Sequence, residues 1–344
     1  MNFIFSIKPG LFRLFLALLV VLYHLSKYIY LGGFAVYCFF ILSGYWVVKM
    51  YTEKYSKLKQ PILEFYASRI IRLYPLYLLT TLSAILMNLI FKSDYLDIIK
   101  AYSPINWITI FGLIGYNTGP WVIPPAWSLD IEMQFYILIP LLWILLLKIE
   151  KFGIILLVLL SGLIWLNFSF HLIDTGINIK PTVLPYLFYF ALGIVLYLIP
   201  NIFSKKQVVS GMFMLVSIVI IHYVVPALRL KVIGKNDVDY FEQINLLLPL
   251  LIVPFISFNL KVKSNQRDRY YGNLSYAIYL CHWVLIIPYN YYIENLSFTN
   301  RIPYAFLYLV LTLLTSHCIL LYFEAPIQDK VKFFFNKNHS TQQS

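Results

Sequence analysis

An arginine and a histidine share one face of the first apolar segment, and the histidine could take part in acid–base chemistry. Arg13 and His24 are eleven residues apart, which on an α-helix is three turns to within about 20° and a rise of about 16 Å. Histidine is the side chain best suited to accept a proton from a hydroxyl group near neutral pH. A histidine that is hydrogen-bonded for structural reasons is the alternative, but the arginine on the same face favours the functional interpretation.

Two further arginines begin the third apolar segment, in the run Ser-Arg-Ile-Ile-Arg-Leu-Tyr-Pro. Arg69 and Arg72 are three residues apart, so a helix places both guanidinium groups on one face. Guanidinium groups bind phosphate in a bidentate manner, and this pair could hold a phosphate-bearing substrate. Ordinary positive charge beside a membrane segment is the alternative.

The fourth long apolar segment opens with acidic and hydroxyl side chains. Ser128, Glu132 and Tyr136 follow one another at a spacing of four residues, which places them on one helix face, while Asp130 points elsewhere. A carboxylate at Glu132 could pair with a histidine or arginine, orient an acceptor hydroxyl, or hold helices together. The spacing leaves the catalytic and the structural interpretations open.

Polar residues also recur near the end of the chain. Ser275, Tyr279 and His282 form a stripe that carries His282 to mid-membrane depth, where ionisable groups usually face the protein interior. Helix packing through small and polar residues is the alternative for this stripe. Glu324 closes the last apolar segment and could cap the helix or pair with an arginine, whereas His317 is expected to be structural.

The elements that position these residues are predicted to be membrane-spanning helices. The chain is 60% hydrophobic and 12% charged, which is far from the profile of soluble domains. About 20 apolar residues are needed to cross the hydrocarbon layer. The sequence predicts an all-α integral membrane protein with about ten spans in one bundle, at residues 11–30, 33–50, 70–91, 126–147, 152–170, 183–199, 208–228, 244–260, 274–292 and 302–323.

An eleventh apolar stretch, at residues 105–116, is too short to cross and is predicted to be re-entrant or interfacial. With the N-terminus inside, most of the 27 Lys and Arg residues fall on the cytoplasmic side, so both termini are predicted to be cytoplasmic. The net charge of +12 is then mainly a topology signal and not evidence of a nucleic-acid partner. The same charge could have a minor electrostatic role with anionic membrane lipid, although the topology explains the charge without it.

Residues 1–328 are predicted to form one membrane domain, followed by a polar cytoplasmic tail at residues 329–344. The first span is expected to be retained, because no signal-peptidase site follows it. Cys38, Cys281 and Cys318 lie inside predicted spans without metal-ligand spacing, so neither a disulfide nor a metal site is expected. The sequence also has no nucleotide-binding or hydrolase motif in the required context.

Six short blocks occur in order along nearly the whole chain. They are Arg13 with His24; Gly33, Phe40, Ser43 and Gly44; Arg69, Arg72, Pro75 and Tyr77; Trp127, Ser128, Glu132 and Tyr136; the run from Gly272 to His282; and Glu324 with Pro326. Together these blocks resemble the membrane acyltransferase-3 family, bacterial enzymes that O-acylate lipopolysaccharide, capsule, peptidoglycan and exported sugars. The pair Ala-Ser before Arg69 departs from the extra basic residues that the family often has there.

The resemblance implies a ten-helix enzyme of the bacterial inner membrane. It would take an acyl group, expected to be acetyl, from cytoplasmic acyl-CoA and deliver it to a sugar hydroxyl of a surface glycan, such as O-antigen, capsule or exopolysaccharide, or of a lipid-linked sugar. No cofactor would be tightly bound. The implied roles are His24 as general base with Glu132 in the catalytic group, Arg69 and Arg72 on the coenzyme A phosphates, and Arg13, His282 and Glu324 in substrate binding and positioning.

Because no extracytoplasmic hydrolase-like domain follows the spans, the chain is expected either to acylate its acceptor directly or to work with a separate extracytoplasmic partner. A transporter of an anionic or acylated sugar is the alternative function. Transporters usually show paired repeats or broken helices at corresponding positions, and the sequence has neither. A structural subunit would have no need of a histidine and three arginines on helix faces.

Overall fold

A computed structural model describes residues 4–26, 28–91, 101–115, 118–119, 121–174 and 176–330, with the backbone alone at 4 and 145–151. These residues form helices joined by turns, and none of them is in a β-strand. The helices are α1 Pro9–Leu25, α2 Gly32–Glu53, α3 Pro61–Phe91, α4 Pro104–Gly112, α5 Trp127–Phe170, α6 Leu187–Leu198, α7 Lys205–Val224, α8 Pro226–Val232, α9 Val238–Leu251, α10 Val253–Asn259, α11 Gln266–Ile293 and α12 Phe298–Ile319, which continues into a π-helical turn, Leu320–Glu324.

Local sequence signals explain where several helices begin. Proline occupies the first position of α1 at Pro9, where no intrahelical donor is lost. Helix α4 starts with a capping box between Ser103 and Asn106, and α7 starts with one between Ser204 and Gln207. In each box the side chains of the two residues satisfy each other's free backbone N–H groups.

Among the described residues, six helical segments are long and apolar enough to cross a membrane, which confirms the prediction of an all-helical membrane protein. They are Gly32–Lys57, Pro61–Phe91, Pro124–Ile144, Phe152–Phe170, Lys205–Val224 and Phe298–Lys330. Helices α9 and α10 form a seventh candidate if they are taken together, with a bend of 46° between them.

Three of the ten predicted spans are not among these candidates. The predicted spans at 11–30 and 183–199 lie in apolar helices that are shorter than a full crossing, because α1 has only 17 residues and α6 only 12. The span at 274–292 lies in the 28-residue helix α11, whose first turns carry charged residues. Ten spans therefore stay a prediction.

Helix α5 differs from the expected pair of separate spans. It is one continuous helix of 44 residues, about 66 Å long, which contains the candidate span Phe152–Phe170 and most of Pro124–Ile144. The predicted connection at 148–151 is Lys-Ile-Glu-Lys, which contains strong helix formers and neither glycine nor proline. The backbone therefore stays helical through the charged segment.

The short apolar stretch predicted at 105–116 contains α4. This helix has nine residues and rises about 14 Å, so it is too short to cross a membrane. It ends at Leu113, whose backbone is left-handed with φ 52°. A re-entrant or interfacial position for this segment stays a prediction, and residues 116–117 lie outside the described part.

The chain divides into two compact units. Unit 1 comprises Met1–Lys59 and Ser128–Ser275, and unit 2 comprises Gln60–Trp127 and Tyr276–Ser344. One membrane domain at 1–328 and a cytoplasmic tail at 329–344 remain predictions from the sequence, and residues 331–344 of that tail lie outside the described residues.

Glycines allow two helices of unit 1 to approach closely. A Cβ atom on Gly44 of α2 would lie 2.2 Å from the carbonyl oxygen of Phe190 in α6. In the other direction, a Cβ atom on Gly193 of α6 would lie 2.1 Å from the carbonyl oxygen of Ile41. Association through small residues is common in membranes, where van der Waals packing replaces the hydrophobic effect between helices.

Side chains from other helices satisfy the first turns of α1 and α2. The backbone N–H of Leu11 donates to Asp268 Oδ1 at 2.9 Å, and the backbone N–H of Phe34 donates to Asn245 Oδ1 at 2.9 Å. Both Asp268 and Asn245 are buried. Free N–H groups at a helix start need such partners where water is excluded, so these contacts fix the start of α1 and α2 within unit 1.

Tyrosine hydroxyls connect the helices of unit 2. Tyr77 of α3 donates to the carbonyl of Ile110 in α4 at 2.5 Å, and Tyr276 of α11 donates to the carbonyl of Leu73 in α3 at 2.7 Å. Tyr279 donates to the carbonyl of Pro125 at 2.9 Å. A buried hydroxyl is costly without a partner, so these bonds contribute to the alignment of the helices.

Candidate active site

Helix α1 carries both Arg13 and His24, as the spacing predicts. The helix is continuous from Pro9 to Leu25, so the two side chains share a face and lie about 16 Å apart along the axis. Both are half-buried. The Arg13 guanidinium carbon lies 5.9 Å from the ring centre of Trp46 on α2, which is a cation–π distance. The His24 ring packs edge-on against Tyr23, with ring centres 4.9 Å apart.

Glu132 joins α5 to α2 in unit 1. Its Oε1 atom accepts hydrogen bonds from the hydroxyl of Ser43 on α2 and from the hydroxyl of Tyr136, the latter at 2.5 Å. The face shared by Glu132 and Tyr136 was predicted, whereas the pairing with Ser43 was not. Asp130 is fully buried and accepts a hydrogen bond from the side-chain amide of Gln134 at 3.0 Å. It therefore points away from the face that carries Glu132, as the spacing predicts.

Glu132 is therefore bonded to a buried serine and a buried tyrosine, and its charge and its packing role can be separated. Glu132→Gln keeps an oxygen atom that can accept from Ser43 and Tyr136. We therefore expect the free energy of unfolding in detergent to change by less than about 1 kcal/mol. If the negative charge serves the reaction, acetyl transfer falls at least about tenfold, which corresponds to about 1.4 kcal/mol in the barrier. The measurement is kcat for acetyl transfer in membranes.

The control for this prediction is Ser43→Ala, which removes one donor and leaves the carboxylate in place. We expect Ser43→Ala to lower the melting temperature and to leave kcat within about threefold of the wild type. A fully active Glu132→Gln variant would show that Glu132 is a packing residue alone.

The two arginines predicted to bind phosphate lie on α3 in unit 2, in different surroundings. Arg69 is only 5% exposed; its guanidinium carbon lies 5.9 Å from the ring centre of Phe65, and one of its amino groups donates to Ser68 at 3.3 Å. Arg72 is half-buried and acts by electrostatic attraction on the carboxyl group of Glu324. Helix α3 contacts the π-helical turn that carries Glu324.

Glu324 is itself nearly buried at 6% exposure. Its Oε1 atom accepts from the side-chain amide of Gln328 at 2.8 Å. Pairing of Glu324 with an arginine is among the sequence expectations. The charge of Arg72 acts on the Glu324 carboxyl, but among the described residues the two side chains form no ion pair, so the pairing stays a prediction.

His282 is fully buried in unit 2. Its Nδ1 atom lies 3.1 Å from the carbonyl of Ile278, and the hydroxyl of Tyr308 on α12 donates to the His282 carbonyl at 3.1 Å. The first contact lies within α11, and the second joins α12 to α11. They fit the helix-packing interpretation, while substrate binding by His282 stays a prediction.

The structure sorts the predicted site residues into two groups. Arg13, His24 and Glu132 belong to unit 1, and Arg69, Arg72, His282 and Glu324 belong to unit 2. Within the part of the chain that is described, no cluster of three or more His, Cys, Asp and Glu residues could hold a metal ion.

Several residues around the site were not found by sequence reasoning. Ser43 entered only as part of a resembling block, and nothing in its sequence indicated that it bonds to Glu132. Asp268, whose carboxylate accepts from the start of α1, lies in a charged run that looked like ordinary cytoplasmic flanking charge. The available signal was that Asp268 lies four residues before the family block that begins at Gly272.

Comparisons with known proteins add evidence that is independent of this geometry. A family model described as "Acyltransferase domain" matches residues 8–321. O-acetyltransferase OatA from Staphylococcus aureus strains NCTC 8325 / PS 47, COL and MRSA252 is in each case 29% identical over 359 residues. The alignment covers 94% of this chain and 57% of each relative, so the chain spans a little over half the length of these relatives. No solved structure matches the chain.

The family match covers most of the chain and contains all of the candidate site residues except Glu324. The predicted resemblance is therefore confirmed. The chain belongs to the membrane acyltransferase-3 family.

Proposed function

We propose that this protein is an O-acetyltransferase of the bacterial inner membrane. It takes an acetyl group from cytoplasmic acetyl-CoA and transfers it to a sugar hydroxyl of a surface glycan or a lipid-linked sugar, either directly or with a separate extracytoplasmic partner. In this proposal the chain crosses the membrane about ten times and both termini are cytoplasmic. Family membership and the relatives named O-acetyltransferase support the reaction type.

One observation carries the proposal. The apolar helix α1 presents a cation, Arg13, and a general-base candidate, His24, on one half-buried face about 16 Å apart. Ionisable groups inside a membrane segment are costly, and such groups usually mark a functional path. In a family of acyltransferases, this arrangement fits an acyl donor that binds at the Arg13 side of the membrane and an acceptor hydroxyl that binds at the His24 side.

The proposed chemistry needs no bound cofactor. His24 accepts the proton of the sugar hydroxyl as its oxygen attacks the thioester carbonyl of acetyl-CoA. The carbon–sulfur bond then breaks, the acetyl group stays on the sugar oxygen, and the protonated His24 returns its proton to the coenzyme A thiolate. Arg69 and Arg72 bind the donor phosphates, because guanidinium groups pair with phosphate oxygens.

The experiment that tests this function is mass spectrometry of surface glycans from cells with and without the protein. We expect a mass increment of one acetyl group per modified sugar, removable by mild alkali, only where the protein is present. The ester linkage explains the alkali lability, and the fragment masses identify the modified sugar.

The matched control is a strain that expresses the Gly193→Leu variant. A leucine there blocks the close approach of α6 to α2, so we expect unit 1 not to fold. These cells should resemble cells that lack the protein. If the glycans are chemically identical in all strains while their surface abundance changes, the protein transports glycans and the proposal is wrong.

A further inference from the structure

A lysine in the segment between α8 and α9 lies against aromatic side chains near the end of α1 that carries His24. The Lys235 ammonium nitrogen is 5.3 Å from the ring centre of Tyr23 and 5.2 Å from that of Phe241. The two rings are roughly parallel, with centres 6.4 Å apart. The same ammonium donates to the Tyr23 hydroxyl at 3.4 Å. Lys235 is exposed, so its charge faces the surroundings of the protein.

Neighbouring lysines on this surface have a different environment. Lys180 forms an ion pair with Glu242 at 2.8 Å, and Lys231 forms one with Asp237 at 3.0 Å. The backbone N–H of Tyr240 and the Lys231 ammonium both hold the pKa of the Asp237 carboxyl below its usual value, so this pair is charged at neutral pH. Among the residues that the structure describes, no carboxylate lies within ion-pair distance of Lys235.

The position of Lys235 is linked to His24 through a single side chain. The Tyr23 ring has the Lys235 ammonium 5.3 Å away and the His24 ring centre 4.9 Å away. Tyr23 also packs tightly against Gly32, because a Cβ atom there would lie 2.4 Å from the ring. Tyr23 therefore contacts both the Lys235 ammonium and the His24 ring, and it holds an exposed positive charge near the His24 end of α1.

We propose that Lys235, held by Tyr23 and Phe241, binds an anionic group, a carboxylate or a phosphate, on the acceptor glycan whose hydroxyl is presented to His24. This inference rests on the proposed O-acetyltransferase function and narrows its acceptor to negatively charged glycans. An ammonium group has three donors, and the long bond to Tyr23 leaves capacity for a strong acceptor. A charge at this place also attracts an anionic chain before it docks.

Lys235 offers variants that leave the fold intact. Its backbone is left-handed, with φ 52°, a conformation that asparagine tolerates better than lysine. Lys235→Asn therefore removes the charge without backbone strain, and Lys235→Arg keeps the charge. The matched control is Arg229→Gln, which removes an exposed positive charge from α8, the helix that precedes the Lys235 segment.

The test uses the full chain in lipid nanodiscs and three fluorescently labelled probes. Hyaluronan tetrasaccharide carries carboxylates, phosphorylated mannopentaose carries a phosphate, and chitotetraose is neutral. We expect the wild type to bind one or both anionic probes more tightly than chitotetraose, with an affinity that falls as salt screens the charge. Lys235→Asn should weaken anionic binding about tenfold, while Lys235→Arg and Arg229→Gln stay within about threefold of the wild type.

Comparing the two anionic probes identifies whether a carboxylate or a phosphate is preferred. Binding is measured without acetyl-CoA, so it tests the subsite separately from the reaction. If the anionic probes bind in a Lys235-dependent way but no acetyl transfer is detected, the subsite stands and the O-acetyltransferase proposal fails. If transfer occurs and Lys235→Asn binds all three probes like the wild type, the subsite is overturned and the enzyme function stands.

Lipid phosphate is the other anion at a membrane surface. Glycan binding and the melting temperature of the wild type and of Lys235→Asn are therefore measured in nanodiscs of phosphatidylcholine and in nanodiscs that contain phosphatidylglycerol. A Lys235-dependent increase in melting temperature with phosphatidylglycerol, together with glycan binding that does not depend on Lys235, would mean that Lys235 binds lipid, and the glycan proposal would be wrong.

Discussion

Replacing His24 by alanine is expected to abolish acetyl transfer while the protein still inserts and folds. General-base catalysis contributes about 10²–10⁴-fold to a rate, so kcat should fall by at least about two orders of magnitude. His24 is half-buried near the end of α1 and its ring contacts Tyr23, so the stability lost with it should be small. The measurement is transfer of labelled acetyl groups in membranes that contain equal amounts of each variant.

The control for His24 is a histidine outside the candidate site. His171 is exposed and has a left-handed backbone, with φ 50°, so His171→Asn should be stable and fully active. His24→Gln provides a second comparison, because glutamine keeps hydrogen bonding but cannot accept a proton at neutral pH. Full activity in either His24 variant would remove His24 from the role of general base.

Loss of the α3 arginines is expected to act on the donor substrate. Arg69→Ala and Arg72→Ala should each raise KM for acetyl-CoA about ten- to a hundredfold, because a hydrogen bond to a charged group contributes about 1.5–3 kcal/mol. The effect on kcat at saturating donor should be smaller. Steady-state kinetics over a range of acetyl-CoA concentrations, with the acceptor held constant, separates the two parameters.

Arg72 needs a second variant because it also acts on Glu324. Removing Arg72 takes a positive charge away from the nearly buried Glu324 carboxyl, and this should lower the stability of unit 2 whatever the role of Arg72 in donor binding. The double variant Arg72→Ala with Glu324→Gln removes both charges and should regain most of the stability. If donor binding is the role of Arg72, KM for acetyl-CoA stays high in the double variant.

A third arginine serves as the control for both substitutions. Arg267 lies in the first turn of α11 and its Nε donates to the hydroxyl of Tyr271 at 2.9 Å on an exposed surface. Arg267→Ala removes one positive charge at a membrane flank and should leave KM for acetyl-CoA unchanged. Equal KM values in the wild type and in both α3 variants would contradict phosphate binding by Arg69 and Arg72.

The different burial of the two α3 arginines also predicts how they respond to lysine. Arg69 is almost fully buried beside Phe65, where a flat guanidinium group packs on a ring and a lysine ammonium would be poorly solvated. Arg72 is half-buried, so a lysine there can reach water. In the kinetic series above, Arg72→Lys should therefore recover more donor binding than Arg69→Lys.

The sequence by itself determined the properties that depend on composition and on positions along one helix. Apolar content identified a membrane protein, since no soluble core could bury so much apolar surface. Helical periodicity correctly placed Arg13 with His24 on α1 and Glu132 with Tyr136 on α5, because residues at these spacings share a face whatever packs against it. The ordered blocks identified the family, which the family model confirms.

The tertiary structure decided which residues meet when they are far apart in the chain. Ser43 donates to Glu132, Asp268 accepts from the start of α1, and Lys235 lies on Tyr23, each across long stretches of sequence. Such pairs depend on how helices cross and on where glycines permit close approach. Periodicity along one helix shows which face is polar, but only the packing of several helices shows what that face contacts.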